Sequence, residues 1–185
     1  MNDIALAKKH LRNQIRKAIS KLSPSDKLLE SQTMVQLIAE FISDNHTIKT
    51  VASYAATKDE LNLDHLPSLL PEIRFSYPKC SPDGIMEFYV VGDLLEMKPL
   101  TMGIREPDPK LHKQLSADSI DLFICPALAY SEDGKRLGKG GGYYDRYLCK
   151  KRHNATTLGV VFDCQKVTID EIPTEAHDLL INYIL

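Results

Sequence analysis

The stretch "GKRLGKGGGYYDRYL", Gly134 to Leu148, constrains this chain more than any other. Four of the nine glycines, Gly138, Gly140, Gly141 and Gly142, crowd into five positions interrupted only by Lys139. The segment follows the apolar run "IDLFICPALAY", which reads as one long central strand, and leads into "YYDRYLCKKR", which reads as a helix. A helix N-terminus carries unpaired N–H groups and partial positive charge, so it is a ready anion site. Glycines let successive N–H groups converge on a phosphate without a Cβ in the way. Arg136 and Lys139 add full charges to the same concavity, and Lys135 stands close by. Strand, glycine loop and helix in that order therefore predict a phosphate-type site beyond the carboxyl ends of an open α/β sheet. The loop is neither a Walker A motif, since Gly140 rather than Ser or Thr follows Lys139, nor a dinucleotide fingerprint, which would need glycine at Tyr143. A flexible glycine turn whose tyrosines pack into the core is the competing reading of the same residues.

The rest of the chain supplies the scaffold such a loop needs. Ile4, Ala7, Leu11, Ile15, Ala18, Ile19 and Leu22 recur at helical spacing, opposite a face carrying Lys8, Lys9, Arg12, Arg16, Lys17 and Lys21. Ser23, Pro24 and Asp26 read as the capped start of a second helix running to about Ser43, with Leu28, Leu29, Val35, Leu37, Ile38 and Phe41 inside. "TIKTVASYAA" turns to strand character, and "NLDHLPSLLPE" reads as a short helical turn. "IRFSYPKC" and "IMEFYVV" read as a hairpin across "SPDG", and "TTLGVVF" and "LLINYIL" as late strands. Helices alternating with apolar strands predict an α/β, Rossmann-like sandwich: a mainly parallel central sheet with helices on both faces, in a single domain over residues 1–185.

Composition bears chiefly on what is excluded. A formal net charge of −2 makes the chain no nucleic-acid magnet, so no nucleic-acid partner is expected and any anion site must come from local clustering. No apolar run approaches the roughly 18 residues of a membrane span, and the N-terminus is charged rather than signal-like. Cys80, Cys125, Cys149 and Cys164 are scattered without a CxxC pair, which fits free thiols in a reducing cytosol better than a disulfide framework. A cytoplasmic monomer without membrane contact is the expectation.

Other polar candidates keep two readings each. Lys8 and Arg12 lie one turn apart and could together reach a polyphosphate, or could simply be solvated. Asp145, in the first turn of the glycine-loop helix, suits the helix dipole and equally suits Mg²⁺ beside a phosphate. Glu60, in "ATKDELNL", follows the first strand directly, where α/β folds place functional side chains, but a solvated loop acid fits as well. His177 precedes Asp178 near the C-terminus, and the six histidines show no zinc-ligand spacing. No nucleophile elbow is present, and no cysteine has the local setting of a nucleophile.

The segment "RLGKGGGYYDRYL" resembles the signature of the 5-formyltetrahydrofolate cyclo-ligases, also called 5,10-methenyltetrahydrofolate synthetases. "KKHLRNQIR", "ATKDELNL", "GIREP" and "EIPTEAHD" resemble further segments of that family in the same order, so the likeness covers nearly the whole chain. It implies an ATP- and Mg²⁺-dependent closure of 5-formyltetrahydrofolate to 5,10-methenyltetrahydrofolate with release of ADP and phosphate. It also implies roles by position. Lys8, Arg12 and the run Arg136, Leu137, Gly138, Lys139, Gly140, Gly141, Gly142, Tyr143 and Tyr144 would bind ATP. Glu60 would contact the folate together with Lys139 to Tyr143, Asp145 and Asp178 would serve Mg²⁺, and Lys139 and Arg136 would be catalytic. A non-enzymatic ATP-binding module and an ATP-dependent enzyme acting on another heterocycle are the alternatives.

Overall fold

The chain begins as a helix, α1 (Asp3–Ile19), because Leu11, Ile15 and Ile19 repeat every fourth residue and bury one stripe. Lys8 lies on that same stripe and is buried, whereas Ala7 is exposed, so the expected apolar face is rotated toward the lysine. This is a computed structural model, and it describes residues 3–99, 104–175 and 178–185. Helix α2 (Pro24–Asp44) starts on a full capping box. The Asp26 N–H donates to Ser23 Oγ and the Ser23 N–H to Asp26 Oδ2, each at 3.1 Å, a pairing worth about 1 kcal/mol. Its inner stripe is Met34, Val35, Ile38, Ala39 and Ile42. Leu28, Leu29 and Leu37, expected inside, are 59%, 64% and 42% exposed.

Three strands and a helical turn follow: β1 (Thr50–Ala52), α3 (Leu66–Leu69), β2 (Arg74–Cys80) and β3 (Met86–Val90). Next come the short strands β4 (Lys98–Pro99), β5 (Arg105–Glu106) and β6 (Gln114–Leu115), then β7 (Leu122–Pro126), β8 (Ala129–Ser131) and β9 (Arg136–Leu137). Helix α4 (Tyr143–Leu148) leads to β10 (Thr156–Val160), β11 (Lys166–Val167) and β12 (Tyr183–Ile184). The main sheet has the order β12-β10-β7-β1-β2-β3-β6. It is parallel from β12 to β2 and antiparallel at β3 and β6, where the "SPDG" hairpin turns as expected. Side chains alternate between its faces. Val51, Leu122, Ile124, Leu158 and Val160 pack with α1 and α2, while Ala52, Phe123 and Cys125 pack with Tyr147 and Leu148 of α4. Helices cover both faces, as the alternation of elements implies.

The run 120–130 is two strands rather than one. Pro126 has no N–H to continue the ladder, and the chain leaves the main sheet there. Gln165 Nε2 donates to the carbonyls of Ala127 at 3.1 Å and Leu128 at 2.9 Å, satisfying the jog. The chain then re-pairs as β8 in a small sheet of order β11-β8-β9. That jog delivers β9 and the glycine loop over the carboxyl ends of β1 and β7. Helix α4 is also shorter than its sequence suggests, ending at Leu148. Cys125 is buried, Cys164 half-buried, Cys80 and Cys149 exposed, and all four are free. Burial pushes the Cys125 thiol up to about 12. Among the described residues no helix is long and apolar enough to cross a membrane.

Candidate active site

The glycine loop spans Gly138 to Gly142 between β9 and α4. Gly140 and Gly142 hold φ of 109° and 64°, the left-handed region that L side chains rarely adopt. Gly142 is the N-cap of α4 and supplies no side-chain cap, so the helix start is bare backbone. Among the described residues, no protein acceptor takes the N–H of Lys139, Gly140, Gly141 or Gly142. The loop is braced from outside by Arg146, which the sequence does not mark out, and by Tyr143. Arg146 Nη2 donates to the Gly141 carbonyl at 2.7 Å and to the Gly84 carbonyl at 3.0 Å. Tyr143 OH donates to the Ser81 carbonyl at 3.1 Å, and the Arg146 guanidinium lies 5.4 Å from the Tyr143 ring centre. The β2–β3 turn thus holds the loop's far edge. Arg146 stands inside the quoted motif, but nothing in a linear sequence shows that Gly84 lies beside it.

Helix α1 holds the near edge. Arg12 Nε donates to the Gly138 carbonyl at 2.9 Å, so this residue reaches the loop as expected. Lys8, one turn earlier, reaches elsewhere: its Nζ is 2.6 Å from Asp178 Oδ2 and 3.0 Å from Glu175 Oε2. Burial disfavours the ammonium, but the hydrogen bonds to Asp178 and Glu175 outweigh it and hold the Lys8 pKa above its ordinary value. The Glu175 N–H also donates to Asp178 Oδ2 at 2.8 Å, closing a small knot. His177 lies outside the described residues.

Two further ion pairs complete the site. Glu60, whose side chain is 8% exposed, places Oε1 2.6 Å from Lys139 Nζ. Its Oε2 accepts from Thr57 N–H at 2.9 Å and Thr57 Oγ–H at 2.8 Å. Arg136 Nη2 donates to Asp145 Oδ1 at 2.7 Å beneath the loop, with its guanidinium 5.5 Å from the Tyr144 ring centre. Arg136 Nε and the Tyr144 hydroxyl are buried and have no hydrogen-bond partner among the described residues. Burial, then the fields of Cys125 and Glu60, push the Tyr144 phenol far above its ordinary range, so it stays protonated. The structure therefore gathers Arg12, Glu60, Lys139 and the four glycines on one surface, with Arg136, Tyr144 and Asp145 directly below. Leu137 is different: its side chain is 1% exposed in the core, and its carbonyl is taken by the Leu128 N–H at 2.8 Å.

Asp145 and Asp178, the two expected metal ligands, are held by separate cations, and among the described residues no group of three metal-ligating side chains occurs. Magnesium carried by a nucleotide needs only one or two protein carboxylates, the rest being phosphate oxygens and water. Asp145 fits that demand, since its Oδ2 meets no protein donor among the described residues.

A family model described as the 5-formyltetrahydrofolate cyclo-ligase family matches residues 5–185. A 5-formyltetrahydrofolate cyclo-ligase of Mycoplasma pneumoniae is 30% identical over 179 residues, covering 95% of this chain and 98% of the relative. One from Mycolicibacterium smegmatis is 39% identical over 83 residues, an alignment spanning 45% of this chain and 42% of that protein, less than half of either. Among solved structures, a 5,10-methenyltetrahydrofolate synthetase from Mycoplasma pneumoniae superposes with a TM-score of 0.79 at 27% identity, covering 96% of both chains. That of Aquifex aeolicus gives a TM-score of 0.80 at 26% identity, covering 96% of this chain and 88% of its own.

Proposed function

The chain belongs to the 5-formyltetrahydrofolate cyclo-ligase family, and from that membership we propose that it closes 5-formyltetrahydrofolate to 5,10-methenyltetrahydrofolate at the expense of ATP. The observation that carries the reading is a single one. A loop of open backbone N–H groups flanked by Arg12 and Lys139 abuts the buried carboxylate of Glu60, so a phosphate cradle and an acceptor for a heterocycle meet at one point.

The reaction asks for just such a junction. A formamide carbon is a poor electrophile and its oxygen a poor leaving group. Transfer of the γ-phosphoryl group to the formyl oxygen cures both: N10 of the folate attacks the activated carbon, the N10 proton is lost, and the carbon–oxygen bond breaks to release phosphate. Phosphoryl transfer needs positioning and charge stabilisation rather than a covalent nucleophile. In this reading the loop N–H groups and Arg12 seat the phosphates, and Lys139 follows the transferred group. Glu60 accepts the adjacent amide and amino protons of the pterin ring. Arg136, buried against Asp145, acts by fixing the loop's base. Asp145 would hold the nucleotide's Mg²⁺, which when bound offsets phosphate charge.

The test is absorbance of methenyltetrahydrofolate on mixing protein, 5-formyltetrahydrofolate, ATP and Mg²⁺, with phosphate release followed in parallel. Product and phosphate should appear in equal amounts, each requiring both substrates. Nucleotide binding without folate-dependent phosphate release would leave only a nucleotide-binding module.

A further inference from the structure

Of the three cations paired with carboxylates in the site, among the described residues, two are closed in. The cations of Arg136–Asp145 and Lys8–Asp178 have side chains 5% and 9% exposed. The third is not: Lys139 is 50% exposed, on a glycine loop, while Glu60 is 8% exposed and pinned through Oε2 by Thr57. Lys139 is therefore the movable partner and Glu60 the fixed one. Their contact joins the residue facing the phosphates to the residue facing the heterocycle, and neither can serve its own ligand fully while it holds the other.

Resting on the function given above, we propose that the Glu60–Lys139 pair is a latch that couples the two substrate sites. A nucleotide draws Lys139 toward its phosphates and opens Glu60 Oε1. A folate bound at Glu60 displaces Lys139 and frees it for the phosphates. Whichever ligand binds first bears the loss of the contact, and the second does not. The two substrates consequently bind with positive coupling, and the factor is the same in both directions because linkage is reciprocal. An ion pair with one well-solvated member lies at the weak end of such couplings, about fivefold.

The experiment is calorimetric titration of the whole protein with a non-hydrolysable ATP analogue plus Mg²⁺, with and without saturating 5-formyltetrahydrofolate, and the reverse titration. The analogue should bind about fivefold tighter in the presence of folate, and folate tighter by the same factor in the presence of analogue. Lys139→Met supplies a second arm. It should weaken the analogue, erase the coupling, and tighten folate binding in the absence of nucleotide, since Glu60 Oε1 is then already open. Equal affinities with and without the other ligand in the wild type would overturn the latch. So would a Lys139→Met protein that binds folate alone no better than the wild type. A wild type that binds the analogue but gives no heat with folate would instead remove the function reading, and the latch with it.

Discussion

Arg136 Nη2 lies 2.7 Å from Asp145 Oδ1 across the base of the glycine loop, with side chains 5% and 20% exposed. The pair ties the end of β9 to the first turn of α4, fixing both ends of the loop at once. Asp145 is thus a structural residue whatever else it binds. Replacing it with asparagine strands a buried guanidinium, and breaking such a pair costs about 3 kcal/mol. Asp145→Asn should lower the melting temperature by roughly 6–12 °C as well as reduce turnover, and calorimetry on the ligand-free protein checks it. An unchanged melting temperature with lost turnover would assign Asp145 to the metal alone.

Lys8 gives the second prediction. A lysine on a solvated helix face changes stability little when replaced, within about 0.5 kcal/mol. Here the ammonium sits between Asp178 and Glu175, whose side chains are 17% and 34% exposed. Allowing for that partial exposure, Lys8→Met should cost about 2 kcal/mol. The melting temperature should fall by roughly 4–8 °C, measured without nucleotide so that any phosphate role is silent.

The glycines separate space from backbone conformation. A Cβ on Gly141 would stand 2.8 Å from Cδ2 and Cε2 of Tyr143, so Gly141→Ala must push the ring and its bond to Ser81 aside. Overpacking on the 1–3 kcal/mol scale predicts a loss of nucleotide affinity of about tenfold. At Gly140 the nearest atom to a Cβ is Arg12 Cζ at 3.9 Å, yet φ is 109°. Gly140→Ala should therefore impair binding through backbone strain of roughly 1–3 kcal/mol. Restoring space, by Tyr143→Ala in the Gly141→Ala background, should recover Gly141→Ala folding, and the same change should do nothing for Gly140→Ala. Melting curves of the four variants decide it.

Alkaline stability follows from the tyrosines. Burial raises the phenols of Tyr54, Tyr77, Tyr130 and Tyr144 above the ordinary value of 10.0, and moves Tyr147 to about 12. In the unfolded chain these groups ionise near 10.0, so above that pH the unfolded state has lost protons that the native state still holds. The stability they contribute is complete below pH 10.0 and is lost as pH rises toward the folded values. Lys8, raised from 10.5, acts in the same direction. The buried tyrosinates should appear together with loss of far-ultraviolet dichroism, at one midpoint. Tyrosinate absorbance growing while dichroism holds would show that these rings are not sealed.

Much of this arrangement is legible in the chain because it is local. The capping box at Ser23, the "SPDG" hairpin and the strand–glycine–helix order each depend on residues a few positions apart. In α2 the spacing places Val35 and Ile38 inside correctly but adds Leu28, Leu29 and Leu37, which offer a competing stripe; which one turns inward depends on packing against sheet residues such as Val51 and Leu122, not on spacing. The long strand breaks at Pro126 because Gln165, far along the chain, caps the jog. The site shows the same division. Its glycines and charges stand out in the sequence, but the pairing of those charges, Glu60 with Lys139 and Lys8 with Asp178, is a tertiary fact that no motif carries.

The Lys8 knot also joins segments far apart along the chain: its partners Glu175 and Asp178 stand 167 and 170 positions beyond it. A contact of such separation is reached only by closing a long loop of chain, whose entropy is lost before the contact repays it. The ammonium lies on the very stripe of α1 that is buried, so seating that helix and meeting those carboxylates are one event. Arg12, one turn along the same helix, is carried to the Gly138 carbonyl by that event. Anything that loosens the segment carrying Glu175 and Asp178 therefore loosens the Arg12 edge of the glycine loop as well.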